Sequence, residues 1–171
     1  MNDYFNQESE RLIYRKVSEA DIEPWSHFFI DNPSLRFLGV PFEGTPLETA
    51  AWWMENQYKR YEEKGIGHLA TYLKSTNELV GMVGILPREF DGVPTFEIGY
   101  SVMPKFWRQG YASEMSQQLK KFGKANRNDG KYISIIHPEN EGSMKVARAN
   151  GMAPVREQEH MGMPVIIFEE E

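Results

Sequence analysis

The sequence predicts one mixed α/β domain of the α+β kind, with a mostly antiparallel central sheet flanked by helices. Three observations carry this. The chain has 171 residues, 40% of them hydrophobic, which is enough for one well-filled core and too little for two full domains. Apolar residues recur at helical spacing in some segments and alternate at strand spacing in others. Short clusters of Gly, Pro, Asn, Asp and Ser separate these segments, and no repeat, low-complexity block or long linker divides residues 1–171.

Taken in order, RLIYRKV at 11–17 reads as a strand. Ser18 stands three residues before Asp21, a capping-box start for a short helix with Ile22, Trp25, Phe28 and Phe29 on one face, closed by Asn32-Pro33. Gly39, Pro41 and Gly44 mark a loop. The next helix has the clearest signals: Thr45 as N-cap, Pro46 as first helical residue, Glu48 completing a capping box, a stripe through Leu47, Ala51, Met54, Tyr58 and Tyr61, and Gly65 as stop. Residues 67–73 and 79–86 read as a hairpin about a polar turn at 75–78. A second turn at 90–94 leads to TFEIGYSV at 95–102, where Phe96, Ile98 and Tyr100 alternate with Thr95, Glu97, Gly99 and Ser101. Tyr111, Met115, Leu119 and Phe122 give a third helical stripe. A strand at 132–136, a short helix at 140–150 stopped by Gly151, and a last strand at 165–168 complete the order.

A formal net charge of -6 argues against a general nucleic-acid binder, which needs a net basic footprint to displace phosphate counterions. With no Cys there is no disulfide framework, thiolate nucleophile or cysteine metal site, as suits a cytoplasmic protein. The four His residues lack the i, i+3 or i, i+4 pairing of a metal-binding helix, so no metal is expected. No leader pattern and no apolar run long enough for a membrane span is visible, so neither secretion nor membrane insertion is expected. One stretch breaks the acidic balance: from Lys105 to Lys131 there are seven basic residues against two acidic ones, a place where an anion could dock or simply a solvated helix face.

Within that stretch, SVMPKFWRQGYA at 101–112 runs from a strand end through a Gly-containing loop into a helix. Unpaired amides at a helix start, a favourable dipole and a glycine that admits close backbone approach make an anion site; a plain tight turn is the alternative. Gly99-Tyr100-Ser101-Val102 followed by Trp107-Arg108-Gln109-Gly110-Tyr111-Ala112 resembles the coenzyme A pyrophosphate loop of the GNAT acyltransferase superfamily, Arg/Gln-x-x-Gly-x-Gly/Ala. Two further stretches match in order. Glu10-Arg11-Leu12-Ile13, Glu19-Ala20-Asp21 and Arg36-Phe37-Leu38-Gly39 are similar to the amino-terminal segment of the branch containing the ribosomal-protein N-terminal (alanine) acetyltransferases. Asn140, Ser143 and Asn150-Gly151-Met152 are similar to its carboxy-terminal Asn-x-x-Ser segment.

The resemblance implies a single GNAT-like domain whose sheet splays between the strands at 95–103 and 131–136, with acetyl-CoA as co-substrate. Backbone groups of Val102 and Met103 would pair with the pantetheine arm. Arg108, Gln109, Gly110, Tyr111 and Ala112 would contact the pyrophosphate, with the basic segment around the phosphates. Asn140 and Ser143 would lie near the thioester. Direct transfer to a primary amine needs a neutral amine, a polarised carbonyl and a proton for the leaving thiolate. Glu97 is the first choice of base, against the alternative of a strand carboxylate that merely pairs with a neighbouring Arg or Lys. Ser143 is the candidate acid by position, with Tyr111, Tyr132 and His160 as others.

The acceptor implied is a protein N-terminus, a polyamine or an aminoglycoside-like small molecule, and an acidic chain would suit a cationic one. A coenzyme-binding sensor or regulatory module without catalysis is the main alternative, and a structural interaction domain a second. Adjacent Trp52 and Trp53 leave one indole to cover an acceptor cleft or a partner chain, so monomer and homodimer both stay open. Two patterns mislead. Gly65-Ile66-Gly67-His68-Leu69-Ala70 matches a dinucleotide fingerprint but follows a helix and enters a strand, the reverse of the required context. Ser, His and Asp occur without a Gly-x-Ser-x-Gly elbow, so no hydrolase triad is expected.

Overall fold

The computed structural model describes residues 3–39, 43–90, 92–126 and 131–170. Eight strands form one sheet in the order β1-β2-β3-β4-β5-β6-β8-β7: β1 (Asn6–Glu8), β2 (Leu12–Lys16), β3 (His68–Leu73), β4 (Leu79–Phe90), β5 (Val93–Val102), β6 (Tyr132–Ile136), β7 (Met152–His160) and β8 (Met163–Glu170). Every neighbouring pair is antiparallel except β5 and β6, which are parallel. Among the described residues four α-helices accompany the sheet: α1 (Ile22–Ser26), α2 (Pro46–Lys64), α3 (Tyr111–Asn126) and α4 (Glu141–Ala149). No helix among the described residues is long and apolar enough to cross a membrane.

Local chemistry explains most boundaries. The Thr45 hydroxyl accepts from the Glu48 amide and the Glu48 carboxylate accepts from the Thr45 amide, a capping box that contributes about 1 kcal/mol. Gly65 ends α2 with φ 71, a conformation that disfavours side-chain-bearing residues. The sequence reading missed β1 and β7 and ended β4 too early. β1 has three residues and a single buried side chain, Gln7, so no apolar alternation announces it. β7 reads MAPVREQEH and lies at the sheet edge, where its exposed face needs no hydrophobic pattern. The loop expected around Gly39, Pro41 and Gly44 includes Pro41, which lies outside the described residues, as do Asp91, Arg127 and Asp129.

Strand alternation divides the two faces near β5. Phe96 stacks on Tyr132, whose ring reaches so close to α3 that a Cβ on Gly123 would sit 2.3 Å from its hydroxyl oxygen; only glycine fits there. Glu97 and Gly99 face the other way, toward β3 and α2, where Trp25, Phe28, Ala50 and Met54 are buried in the core. β5 and β6 pair only through Phe96 with Tyr132 and Glu97 with Ile133. Beyond that point the strands part, with the Ser134 hydroxyl donating to the Ile98 carbonyl across the start of the gap (3.3 Å).

Candidate active site

The loop between β5 and α3 is shaped by two left-handed residues, Arg108 (φ 60) and Gly110 (φ 82). Gly110 adopts that conformation freely and Arg108 at a steric cost, an expense seen where backbone geometry serves a site. The loop leads straight into a 16-residue helix whose first amides have no partners within the helix. Arg11, from the turn before β2, clamps it. Its Nε donates to Glu114 Oε2 (2.7 Å), its Nη1 donates to the Gln109 carbonyl (2.9 Å), and its guanidinium lies 4.2 Å from the centre of the Tyr111 ring. Burial pushes the Glu114 carboxyl up, but hydrogen bonds from Ser9 and Arg11 outweigh it and hold the group below the usual range.

The basic stretch does not stand free around this loop. Lys105 pairs with Glu78, Lys120 and Lys124 both pair with Glu170, and Lys131 pairs with Glu169. Distant acidic residues in the sequence neutralise most of the local excess. Arg108 is exposed at the loop itself.

On the splayed edge of β5, the Met103 amide donates to the Val80 carbonyl (2.8 Å) and the Met103 carbonyl accepts from the Phe106 amide (2.9 Å), so both its backbone groups serve the fold. Val102 faces the splay instead, its carbonyl accepting from Trp107 Nε1 (2.7 Å). Across the gap, Asn140 caps α4 by accepting from the Ser143 amide (3.1 Å), and the Tyr100 hydroxyl donates to the Ser143 carbonyl (3.0 Å). That hydroxyl is pushed well above the usual tyrosine range by burial.

Where β5 and β6 part, a cavity of about 470 Å³ opens. Glu97, Tyr100, Asn140, Ser143 and His160 all line it. The Glu97 carboxylate is held by Arg88 (Nε to Oε2, 2.7 Å) and only 12% of the side chain is exposed. A Cβ built on Gly99 would lie 3.4 Å from His68 Nε2 and 3.6 Å from Glu97 Oε1, so glycine keeps open the space between these two groups. His68 Nδ1 lies 3.1 Å from Gln57 Oε1 and 3.3 Å from Arg60 Nη1. Burial, then Arg60 and Arg88, push its pKa well below 6.5, so the ring is neutral at physiological pH. The opposite wall is aromatic: Trp53 sits 5.2 Å from His68 and 5.3 Å from Trp25, which stacks on Phe28 at 4.3 Å.

The model of the acetyltransferase (GNAT) domain matches residues 11–153, most of the chain. The chain belongs to the GNAT acetyltransferase family. Among its relatives, YkkB of Bacillus subtilis (strain 168) is 29% identical over 166 residues, covering 94% of this chain and 92% of that protein. The uncharacterized N-acetyltransferase YnaD of the same strain is 34% identical over 155 residues, covering 84% and 80%. The structure of RimL, a ribosomal L7/L12 alpha-N-protein acetyltransferase in complex with coenzyme A, superposes with a TM-score of 0.73 at 16% identity, over 95% of this chain and 94% of RimL.

Within this GNAT domain the residues named from sequence fall into three groups. Glu97, Asn140, Ser143 and His160 meet at one cavity. Arg108, Gln109, Gly110, Tyr111 and Ala112 form the loop and first turn of α3, with Val102 on the adjoining strand edge. Tyr111 and Tyr132, candidates for the acid, are packed in the core, Tyr111 edge-on to Phe106 and Tyr132 against Phe96 and Gly123. Trp52 and Trp53 both line the cavity. Sequence reasoning passed over Arg60, His68 and Arg88. A signal for Arg60 was present: Gln57 and Arg60 follow Trp53 at i+4 and i+7 on one face of α2, two polar residues beside the side that the helix buries.

Proposed function

We propose that this GNAT acetyltransferase moves an acetyl group directly from acetyl-CoA to a primary amine, with Glu97 as the base. The observation that carries the reading is the parting of β5 from β6 directly after Glu97, which leaves this carboxylate in the wall of a cavity that opens along an unpaired strand edge. The residues fit the coenzyme. A helix start with outward amides, Gly110 in a conformation that leaves the backbone approachable, exposed Arg108 and the strand edge at Val102 follow one another along the β5–α3 junction. Acetyl-CoA supplies a thioester carbon open to attack by an amine nitrogen, with the C–S bond breaking and a proton moving from nitrogen to sulfur.

Arg88 fixes the rotamer of Glu97, leaving Oε1 to accept a proton from the amine directly or through water. The Val102 amide, on the splayed edge, donates to the pantetheine arm. Ser143, held by the Asn140 cap and by Tyr100, presents its hydroxyl as the hydrogen-bond donor to the leaving sulfur. The acceptor class is a protein N-terminus or a small-molecule amine. RimL is a ribosomal L7/L12 alpha-N-protein acetyltransferase, and this supports the first.

Calorimetry with acetyl-CoA, paired with a turnover assay, tests the reading. Gly110→Glu places a side chain and a negative charge where phosphate would sit, and should weaken acetyl-CoA binding by ~10²-fold or more. Glu97→Gln should keep acetyl-CoA affinity within about threefold while lowering kcat/KM by ~10²- to 10⁴-fold. Wild-type protein that binds no acetyl-CoA would sink the proposal. Turnover unchanged in Glu97→Gln would remove Glu97 as the base.

A further inference from the structure

The charge inside the cavity is opposite in sign to the charge of the chain. Glu97 is its sole lining carboxylate among the described residues, and it is already engaged by Arg88. Arg60 lines the same space. Its hydrogen-bond partners are Gln57 Oε1 (2.9 Å) and His68 Nδ1 (3.3 Å), both uncharged, and no carboxylate among the described residues lies within ion-pair distance of it. Two guanidinium groups therefore face one carboxylate, in a chain whose net charge is -6. Burial first and then Arg88 lower the pKa of Arg60 and that of His160, which also lines the cavity, and the opposing pull of Glu97 on each does not reverse the shift.

Arg60 is half-buried, and a guanidinium partly withdrawn from water without a counter-ion costs free energy that a ligand anion would offset. Its planar fork of donors matches a carboxylate. One imidazole ring, that of His68, separates Arg60 from the space beside Glu97 and Gly99. The wall beside His68 is aromatic, with Trp53 backed by the buried Trp25 and Phe28, while Ser134, Asn140 and Ser143 line the side toward β6 and α4. A polyamine or aminoglycoside would bring several cations to a cavity lined by the single carboxylate of Glu97 and two guanidinium groups, and a peptide N-terminus carries an amide where Arg60 would need an anion.

Building on the acetyltransferase reading above, we propose that the acceptor is a free amino acid with an apolar or aromatic side chain, its amine beside Glu97 and its carboxylate on Arg60. The cationic surroundings disfavour the protonated amine, so they also help to present the neutral nitrogen that attacks. The amine nitrogen forms the new C–N bond and loses one proton, and the carboxylate takes no part in the chemistry.

The test is an acetylation assay with the twenty standard L-amino acids, spermidine and kanamycin, followed for each acetylated amino acid by its decarboxylated amine and its amide, for instance tryptophan against tryptamine and tryptophanamide. At least one apolar or aromatic amino acid should be acetylated, with kcat/KM about 10²-fold above its decarboxylated amine, the scale of losing one partner of a buried charge pair. In Arg60→Gln that gap should shrink to less than about tenfold, chiefly through KM for the amino acid. Spermidine or kanamycin turned over better than any amino acid would overturn the proposal. So would a decarboxylated amine or amide matching its parent, a gap that survives in Arg60→Gln, or no acetylation of any amino acid. Acetyl-CoA calorimetry on the same preparation separates the two failures: binding without amino-acid turnover refutes only the acceptor, and no binding refutes the acetyltransferase reading itself.

Discussion

Two buried polar clusters in this molecule are built on opposite plans. Around Asp21, fully buried, every need is met inside the fold. Arg15 Nη2 and Nη1 donate to its two carboxylate oxygens at 2.7 and 3.0 Å, the Ser18 amide and hydroxyl donate at 2.7 and 3.1 Å, and the Tyr72 hydroxyl adds a further bond. The cluster ties β2, β3 and the start of α1 together, and its charges cancel. Around Glu97 the same residue types are left unbalanced: Arg88 satisfies the carboxylate, and Arg60 faces the cavity with uncharged partners. A closed network fastens strands; an open one keeps charge in reserve for something outside the chain.

The largest effect should come from opening the closed cluster. Asp21→Asn removes the negative charge, leaves Arg15 without its partner and puts an amide N–H₂ where donors converge. Stability should fall by about 2–4 kcal/mol, less than for a wholly buried pair because the Arg15 side chain is 40% exposed. Urea denaturation measures it, and a loss under about 1 kcal/mol would mean that the cluster fastens little.

The open cluster should respond in the other sense. Arg60→Met keeps most of the aliphatic stem and removes an uncompensated cation, so stability should hold within about 1 kcal/mol of wild type or rise. The same urea titration checks it. A loss above about 2 kcal/mol would show that Arg60 is as structural as Arg15 and would erase the contrast between the clusters.

These clusters also mark how far the sequence could be read. The capping box at Thr45 and Glu48, the Gly65 stop and the apolar run of β4 are signals between residues a few positions apart, and they were legible. The Gly110 loop was legible for the same reason: the strand end, the glycine and the helix start lie within a dozen residues. The neutralisation of Lys120 and Lys124 by Glu170 was not, because it joins α3 to the last strand across the sheet. Nor was His68, which looked like part of a false dinucleotide pattern. Its meaning depends on Gln57 and Arg60 from α2 and on the bare Cα of Gly99 from β5, three segments that only the folded chain brings together.

His68 supplies the smallest and most diagnostic effect. Its pKa lies below 6.5 in the folded state, through burial first and then through Arg60 and Arg88. As pH falls through 6.5 the unfolded chain takes up a proton at this ring and the folded chain does not, so stability must decline with acidification. The slope is at most about 1.4 kcal/mol per pH unit. His68→Gln should flatten the stability curve between about pH 6.5 and 5.5, leaving the weaker contribution of His160, whose pKa is lowered in the same direction. Glu114 and Glu170 are held below the usual carboxylate range and titrate under this window, so they do not blur it. If Arg60 is the unpaired cation of the open cluster, Arg60→Met should move the His68 imidazole resonance back toward an ordinary titration near 6.5 in an NMR pH series. A resonance that stays neutral to the same low pH in that variant would mean that burial and Arg88 hold the ring uncharged without Arg60, and that Arg60 is not an unpaired cation acting on His68.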